Sequence, residues 1–395
     1  MKCLLPLMLL FYFGSCRKAQ IIETRVEGID VPWSDSSLKH PKNEVFRNLI
    51  EKYRQKGLPG ISLLINDKNG TWAGATGKAD IANNIDFTTG TISKAASITK
   101  FFMGALVFRL MEDSSVTRLS YASLDTKISH WLPADVVSNI PNGNLVTLGQ
   151  CMNHETGIPD VIEQDAFYLA VLNNPNKKWQ PEQLLEFIYD KSPLFAPSDT
   201  AIYSNTNTIL VKMIIEAATG IRHDKLLKQY IFSPLQLEHT YYQPYDVLPS
   251  STAQGYFDLY NNNTLVNVSN LVTGSGNGYG GLYSNLFDLY KFINAILITQ
   301  SLLKPSSLQL METFNGKSDG DNYYGYGIQK SFLTGGSNYG LGHKGRDLGY
   351  TANLFYFPVK KVTQVLFVNY GTDSKSALQD VFYEFQNELI ELSLQ

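Results

Sequence analysis

Apolar positions along this chain fall first at helical spacing, then at strand spacing, and then alternate between the two. Val45, Phe46, Leu49, Ile50 and Tyr53 share one face of a helix predicted over 42–56, which Gly57 and Pro59 stop. Residues 61–67 and 71–78 read as strands around Lys68-Asn69-Gly70, an Asn-Gly hairpin signal because both residues tolerate the positive φ of a tight turn. From 96 to 111 the spacing is helical again, with Phe101, Phe102, Leu106 and Leu110. The centre is rich in helix and loop. It holds a buried helix predicted over 208–219 that ends at Gly220, an amphipathic one over 224–230, and another over 286–297. Near residue 325 the pattern turns to strands, at 326–332, 339–346, 351–357 and 362–370, and 376–392 closes the chain as a helix. The order predicts an α/β fold whose sheet draws strands from both ends of the chain, with a helical insertion between them.

The first twenty residues stand apart. One positive charge, Lys2, precedes an apolar stretch from Cys3 to Phe13, followed by Gly14-Ser15-Cys16. A run this short cannot span a bilayer as a helix, which needs about 20 residues, so 1–20 reads as an export signal. Small residues before Cys16 resemble a bacterial lipobox, so Cys16 is the expected lipidation site, with ordinary signal cleavage as the alternative. The lipid would hold the protein at a membrane surface in the cell envelope or periplasm. Residues 21–40 carry no sustained pattern and read as a tether. The catalytic domain is expected over 41–395, with an α/β lobe of about 41–90 and 275–395 and a helical lobe of about 91–274.

Composition narrows the classes. With 395 residues, 44% hydrophobic and 17% charged, the chain is globular and large enough for a deep core. A net charge of −3 gives no electrostatic reason to expect nucleic acid. Beyond Cys3 and Cys16 only Cys151 remains, so no disulfide framework exists, and Cys151 reads as a small buried hydrophobe. The six His show no paired metal-ligand spacing, and no metal or other cofactor is expected. Gly276 to Gly281 matches G-x-G-x-x-G, but no strong strand precedes it, and it reads as a loop.

Ser-x-x-Lys occurs four times, at 15–18, 36–39, 97–100 and 301–304. Ser97 alone falls in the first turn of a predicted apolar helix, where residues three apart share a face and Lys100 can reach back to the hydroxyl. A serine hydroxyl needs an adjacent base. Lysine serves when burial or nearby positive charge brings its pKa down from about 10.4, and Phe101-Phe102-Met103 supply apolar surroundings. Tyr203 and Asn205 precede the buried central helix. Tyr203 can shuttle a proton beside a cation, and Asn205 can orient Lys100. His343-Lys344-Gly345-Arg346 falls on a predicted strand, where Gly345 permits close approach of a substrate backbone and the amides of Ser97 and Arg346 can form an oxyanion hole.

The order Ser97-x-x-Lys100, Tyr203-x-Asn205, His343-x-Gly345 resembles the penicillin-recognising serine hydrolases of the class C β-lactamase type. These include D-alanyl-D-alanine carboxypeptidases and lactamase-like carboxylesterases. Cys151-Met-Asn-His154-Glu-Thr-Gly157-Ile-Pro, Phe195-Ala-Pro197, Ile231-Phe-Ser-Pro-Leu235 and Gly280-Gly281-Leu-Tyr-Ser284 fall in the family order, over about 42–392. The resemblance implies a β-lactamase-like (DD-peptidase-like) fold, an antiparallel sheet flanked by helices plus an all-helical lobe. It implies an acyl-enzyme on Ser97, with Lys100 and Tyr203 moving the proton and Asn205, His343, Gly345 and Arg346 binding substrate. His154 is expected to hold a loop.

His343 stands where the family's β-lactamases carry Lys, which points to peptidase or esterase chemistry. Arg346, with Lys344, is read either as a receptor for a substrate carboxylate or as a pair of cations facing solvent on an edge strand. The expected substrate is a small peptide, ester or β-lactam, foremost a cell-envelope peptide ending in D-amino acids. A carboxylesterase, and a penicillin-binding or sensor protein without turnover, are the alternatives.

Overall fold

The computed structural model describes residues 22–25, 35–333, 338–372 and 376–395. The export segment and Cys16 lie outside the described residues. Among the described residues no helix is long and apolar enough to cross a membrane.

The centre of the structure is a nine-stranded sheet made by both ends of the chain. Its N-terminal strands are β1 (Gly60–Asp67), β2 (Gly70–Asp80) and β3 (Ile85–Asp86). A further strand, β4 (Ser93–Ala96), pairs outside this sheet with β5 (Leu282–Ser284). The C-terminal strands are β6 (Ser318–Asp319), β7 (Asn322–Tyr324), β8 (Gln329–Ser331), β9 (Gly340–Asp347), β10 (Tyr350–Phe357) and β11 (Val362–Val368). The order across the sheet is β3-β2-β1-β11-β10-β9-β8-β7-β6, antiparallel throughout. The seam between the two ends is the β1–β11 pairing, which sets Ile61 opposite Val368 and Ile65 opposite Gln364.

Side-chain alternation decides what each face buries. Ile61, Leu63 and Ile65 point to one face with Leu366 and Val368, and helices α1 (Asn43–Gln55) and α5 (Gln379–Leu394) cover it with Phe46, Tyr53, Phe382 and Phe385. Leu64, Val365 and Phe367 point to the other face, into the large core shared by helices α2 (Ile98–Met111), α3 (Asn205–Thr219) and α4 (Leu286–Ile293). Helix α2 has no polar face, and thirteen of its fourteen residues are buried. A helix apolar on every side belongs inside, and α2 lies between the sheet and the helical lobe. Gly104 lets it pack: a Cβ there would stand 2.6 Å from the Tyr326 carbonyl oxygen.

The antiparallel sheet with its helical insertion matches the expectation, and four details differ. The helix expected from 96 starts at Ile98, because Ala96 belongs to β4. Helix α3 starts at Asn205 rather than 208, which puts Asn205 and Asn207 in its first turn. Within the expected tether, Ile22 is buried, Thr24 bridges to Ser251 and the Ser37 hydroxyl donates to the Ala73 carbonyl, so the described parts of 21–40 are packed onto the domain. Short strands at 241–242, 256–257 and 266–267 also interrupt the lobe expected to be all-helical.

Phe102 and Phe292 stack at 3.5 Å where α2 meets α4. Phe102→Ala is expected to cost about 3–5 kcal/mol, read as a lower denaturation midpoint with an unchanged slope.

Candidate active site

Ser97 stands where β4 ends and α2 begins. Ala96 adopts φ +48, and Ser97 follows at φ −65 as the helix N-cap. A side-chain-bearing residue in the left-handed region costs on the order of 1–3 kcal/mol, so the turn must be held. Thr99 holds it: its hydroxyl donates to the Ala96 carbonyl at 2.7 Å and accepts from the Leu282 amide at 3.1 Å. The result is a half-buried hydroxyl presented at the edge of a cleft.

Lys100, one turn on and 2% exposed, directs its amine at three oxygens. Nζ lies 3.2 Å from Ser97 Oγ, 2.7 Å from Asn205 Oδ1 and 2.9 Å from the Tyr279 carbonyl. As the ammonium, Lys100 donates to all three oxygens; once it has given up a proton, two N–H bonds remain for Asn205 and Tyr279 and the lone pair can face the Ser97 hydroxyl, as a general base requires.

Asn205 is itself fixed. Asp160 Oδ2 accepts from both its backbone N–H at 2.9 Å and its Nδ2 at 2.8 Å, which turns Oδ1 toward Lys100. Burial raises the Asp160 carboxyl above the ordinary range, while the hydrogen bonds from Asn205 and Ile162 and the Lys100 charge oppose the shift.

Tyr203 lies with its ring 4.8 Å from Lys100 Nζ, against His154 at 4.6 Å and near His343 at 6.1 Å. Both imidazoles are kept neutral. Burial and the Lys100 charge lower His154 to about 3 and push His343 well below its ordinary value. His343 Nδ1 lies 2.6 Å from the Lys344 carbonyl and therefore carries the proton in the neutral ring, leaving Nε2 as an acceptor. His154 Nδ1 accepts from the Ser204 amide at 3.2 Å, so His154 ties the 154–160 loop to the start of α3.

On β9 the expectations divide. His343 joins the Tyr203 cluster, as expected. Gly345 meets a structural need: a Cβ there would stand 2.1 Å from the Ala95 carbonyl oxygen, so it admits strand β4, which leads into the Ser97 turn. Arg346 as a carboxylate receptor is overturned. Its Nη1 donates to the Gly345 and Ala352 carbonyls, both at 2.7 Å, and the guanidinium lies 4.9 Å over Phe382 of α5. Side chains alternate across a strand, so with His343 facing the cleft Arg346 projects to the opposite face. Lys344 does the same, bonding Asn322 Oδ1 at 2.9 Å.

The cleft beside Ser97 is narrow and is lined by Asn205, Phe167, Tyr168, Tyr279 and Gly280, among others, and is reached by part of Arg346 although its guanidinium is turned away. Asp160 and Tyr279 escaped the sequence reading. Asp160 directly follows the Gly157-Ile158-Pro159 stretch and could have been weighed with it, whereas a backbone carbonyl such as that of Tyr279 leaves no signature. Cys151 is buried, and burial raises its thiol pKa well above the ordinary value, which fits a packing role.

The Beta-lactamase family matches residues 46–386. The unguisins hydrolase ungD of Aspergillus violaceofuscus (strain CBS 115571) is 27% identical over 217 residues, 54% of this chain and 37% of that protein. The chain thus spans well under half the length of that relative. The D-alanyl-D-alanine-carboxypeptidase/endopeptidase AmpH of Escherichia coli (strain K12) is 22% identical over 276 residues, 68% of this chain and 67% of that protein. A D-stereospecific amidohydrolase from Streptomyces sp. superposes with a TM-score of 0.74 at 26% identity, covering 86% of this chain and 97% of that one.

Two outcomes follow from this geometry. Unfolding should take up protons at His154 between pH 6.5, the ordinary value, and about 3, and at His343 from the same upper limit. Stability therefore falls with pH through this window, by about 1.4 kcal/mol per pH unit for each proton taken up; Asp160, shifted the other way, offsets part of it. A plot of melting temperature against pH should flatten in His154→Gln. Asp160→Asn is expected to reduce kcat by about 10- to 100-fold through loss of amine positioning. It should also move the acid limb of kcat/KM to lower pH, because losing a nearby negative charge favours neutral Lys100. In an Asn205→Ala background the same substitution should cost little more.

Proposed function

The chain belongs to the Beta-lactamase family, whose fold is that of serine hydrolases, and from that membership we propose that it cleaves amide bonds at D-amino acids. Its reading is that of a D-alanyl-D-alanine carboxypeptidase or D-peptidase of the cell envelope. The observation that carries this is Lys100 Nζ, 3.2 Å from Ser97 Oγ and held there by Asn205 Oδ1 and the Tyr279 carbonyl. The D-amino acid specificity draws support from the carboxypeptidase and the D-stereospecific amidohydrolase among its relatives. The cell-envelope location draws on the export pattern of residues 1–20.

In this reading Ser97 Oγ attacks the scissile carbonyl carbon as its proton passes to Lys100. The oxyanion is received by backbone N–H groups of Ser97 and Arg346, two residues that border the cleft. Such a donor contributes on the order of 10²–10³ in rate. When the C–N bond breaks, the leaving amine takes the proton from Lys100 by way of Tyr203. Water then attacks the Ser97 ester, giving its proton to the same groups, and the carboxylate product leaves with Ser97 restored. Positioned acid–base groups supply about 10²–10⁴ of the rate. A neutral His343 brings no positive charge to the cleft wall, which favours peptides over β-lactams as turned-over substrates.

The test is release of D-Ala from N-acetyl-D-Ala-D-Ala compared with the all-L dipeptide, alongside intact mass after benzylpenicillin. Expected are hydrolysis of the D-peptide alone, loss of it by at least about 10³-fold in Ser97→Ala, and a long-lived penicillin adduct on Ser97 absent from that variant. Rapid turnover of p-nitrophenyl acetate with neither D-Ala release nor adduct would replace the peptidase reading with an esterase.

A further inference from the structure

Next to the nucleophile cleft lies a larger chamber that the chemistry at Ser97 does not use. It has a volume of about 430 Å³, bounded by the 269–277 segment, Trp179, Tyr283 and Lys94. This lies within the roughly 300–1,000 Å³ typical of a site for a drug-sized ligand. Thr273 lines both the chamber and the cleft, so the two spaces adjoin.

Three observations show what the chamber is suited to hold. Thr273 is 7% exposed, and its hydroxyl has no hydrogen-bond partner among the described residues. A buried hydroxyl left unpaired is costly, on the order of 1–3 kcal/mol, and here it stands at the passage between the two spaces. The chamber's charge has one sign: Lys94 and Lys178 line it, and no Asp or Glu is among the described residues that do. Lys94 is itself a buried cation, its side chain 8% exposed, and its partner Asp347 at 2.6 Å lines the cleft rather than the chamber. Trp179, Leu271 and Val272 add an apolar wall.

We propose that the chamber is an acyl-side subsite that receives a substrate extension carrying a carboxylate, passed from the cleft across the Thr273 hydroxyl. The assignment of the acyl side rests on the carboxypeptidase reading. An exopeptidase of that kind releases a single residue, too small to need this volume, and the remainder of the peptide lies on the acyl half. The extension packs its apolar part on Trp179, Leu271 and Val272. It offers a carbonyl or amide to Thr273 and sets its carboxylate against Lys94 and Lys178. The substrate class is thus an acylated D-peptide with an acidic group beyond the residue that acylates Ser97.

Equilibrium binding to the Ser97→Ala protein tests this without turnover. Isothermal titration with N-succinyl-D-Ala-D-Ala is compared with its neutral isostere, N-succinamoyl-D-Ala-D-Ala. The succinyl ligand should bind about 10-fold tighter at low salt, an advantage that shrinks as salt screens it. Lys178→Glu, at an exposed position, should remove or invert the preference with no change in melting temperature. Lys94→Met should reduce it, and Thr273→Val should weaken both ligands several-fold. Equal affinity for the two ligands, no binding of either, or a preference that neither lysine variant reduces would overturn the subsite. Failure of the wild type to release D-Ala would instead count against the carboxypeptidase reading, and the titration would still report on the chamber.

Discussion

The structure depends on keeping one amino group inside an apolar helix. Lys100 belongs to a segment in which almost every neighbour is buried, and an amine taken out of water is unfavourable unless it is hydrogen-bonded. Ser97, Asn205 and the Tyr279 carbonyl meet that requirement from three different parts of the chain. Each partner then needs its own support. Asn205 is held by Asp160, and Tyr279 is anchored by its hydroxyl, which donates to the Thr273 carbonyl at 2.6 Å. The two neighbouring imidazoles are neutral, partly because Lys100 carries the positive charge of this region.

A second constraint is geometric. The Ala96–Ser97 turn is strained, and a strained turn persists only where its surroundings determine it. Thr99 ties it to Leu282 on β5, and Gly345 lets β9 close against Ala95. Ser97 is thus clamped between the sheet and the helices, and their packing fixes where its hydroxyl points. The glycine of the His-x-Gly motif serves this closure.

Much of the fold could be read from pattern alone. Alternating runs such as 362–368 and the hairpin at Asn69-Gly70 are local signals, and local signals survive in a linear reading. Element ends were less legible. Helix α3 begins three residues earlier than its apolar pattern, because Thr206 and Asn207 are buried by polar contacts to Pro159 and Thr156, which periodicity does not register. The packing of Ile22 and Thr24 was equally hidden, since two residues of contact make no pattern.

For the site, the sequence by itself determined which groups are present: a serine and a lysine one turn apart, a tyrosine and an asparagine at a helix start, and a histidine on a strand. Spacing within one element suffices for that, because helix and strand periods are fixed. Only the tertiary structure decided how those groups are used. It turned Arg346 away from the cleft into α5, recruited Asp160 behind Asn205, and placed a backbone carbonyl on Lys100. It also opened a cationic chamber beside the cleft from residues near 94, 178 and 273. The physical reason is that burial and long-range hydrogen bonds set the protonation and direction of a side chain, and both depend on neighbours distant in sequence.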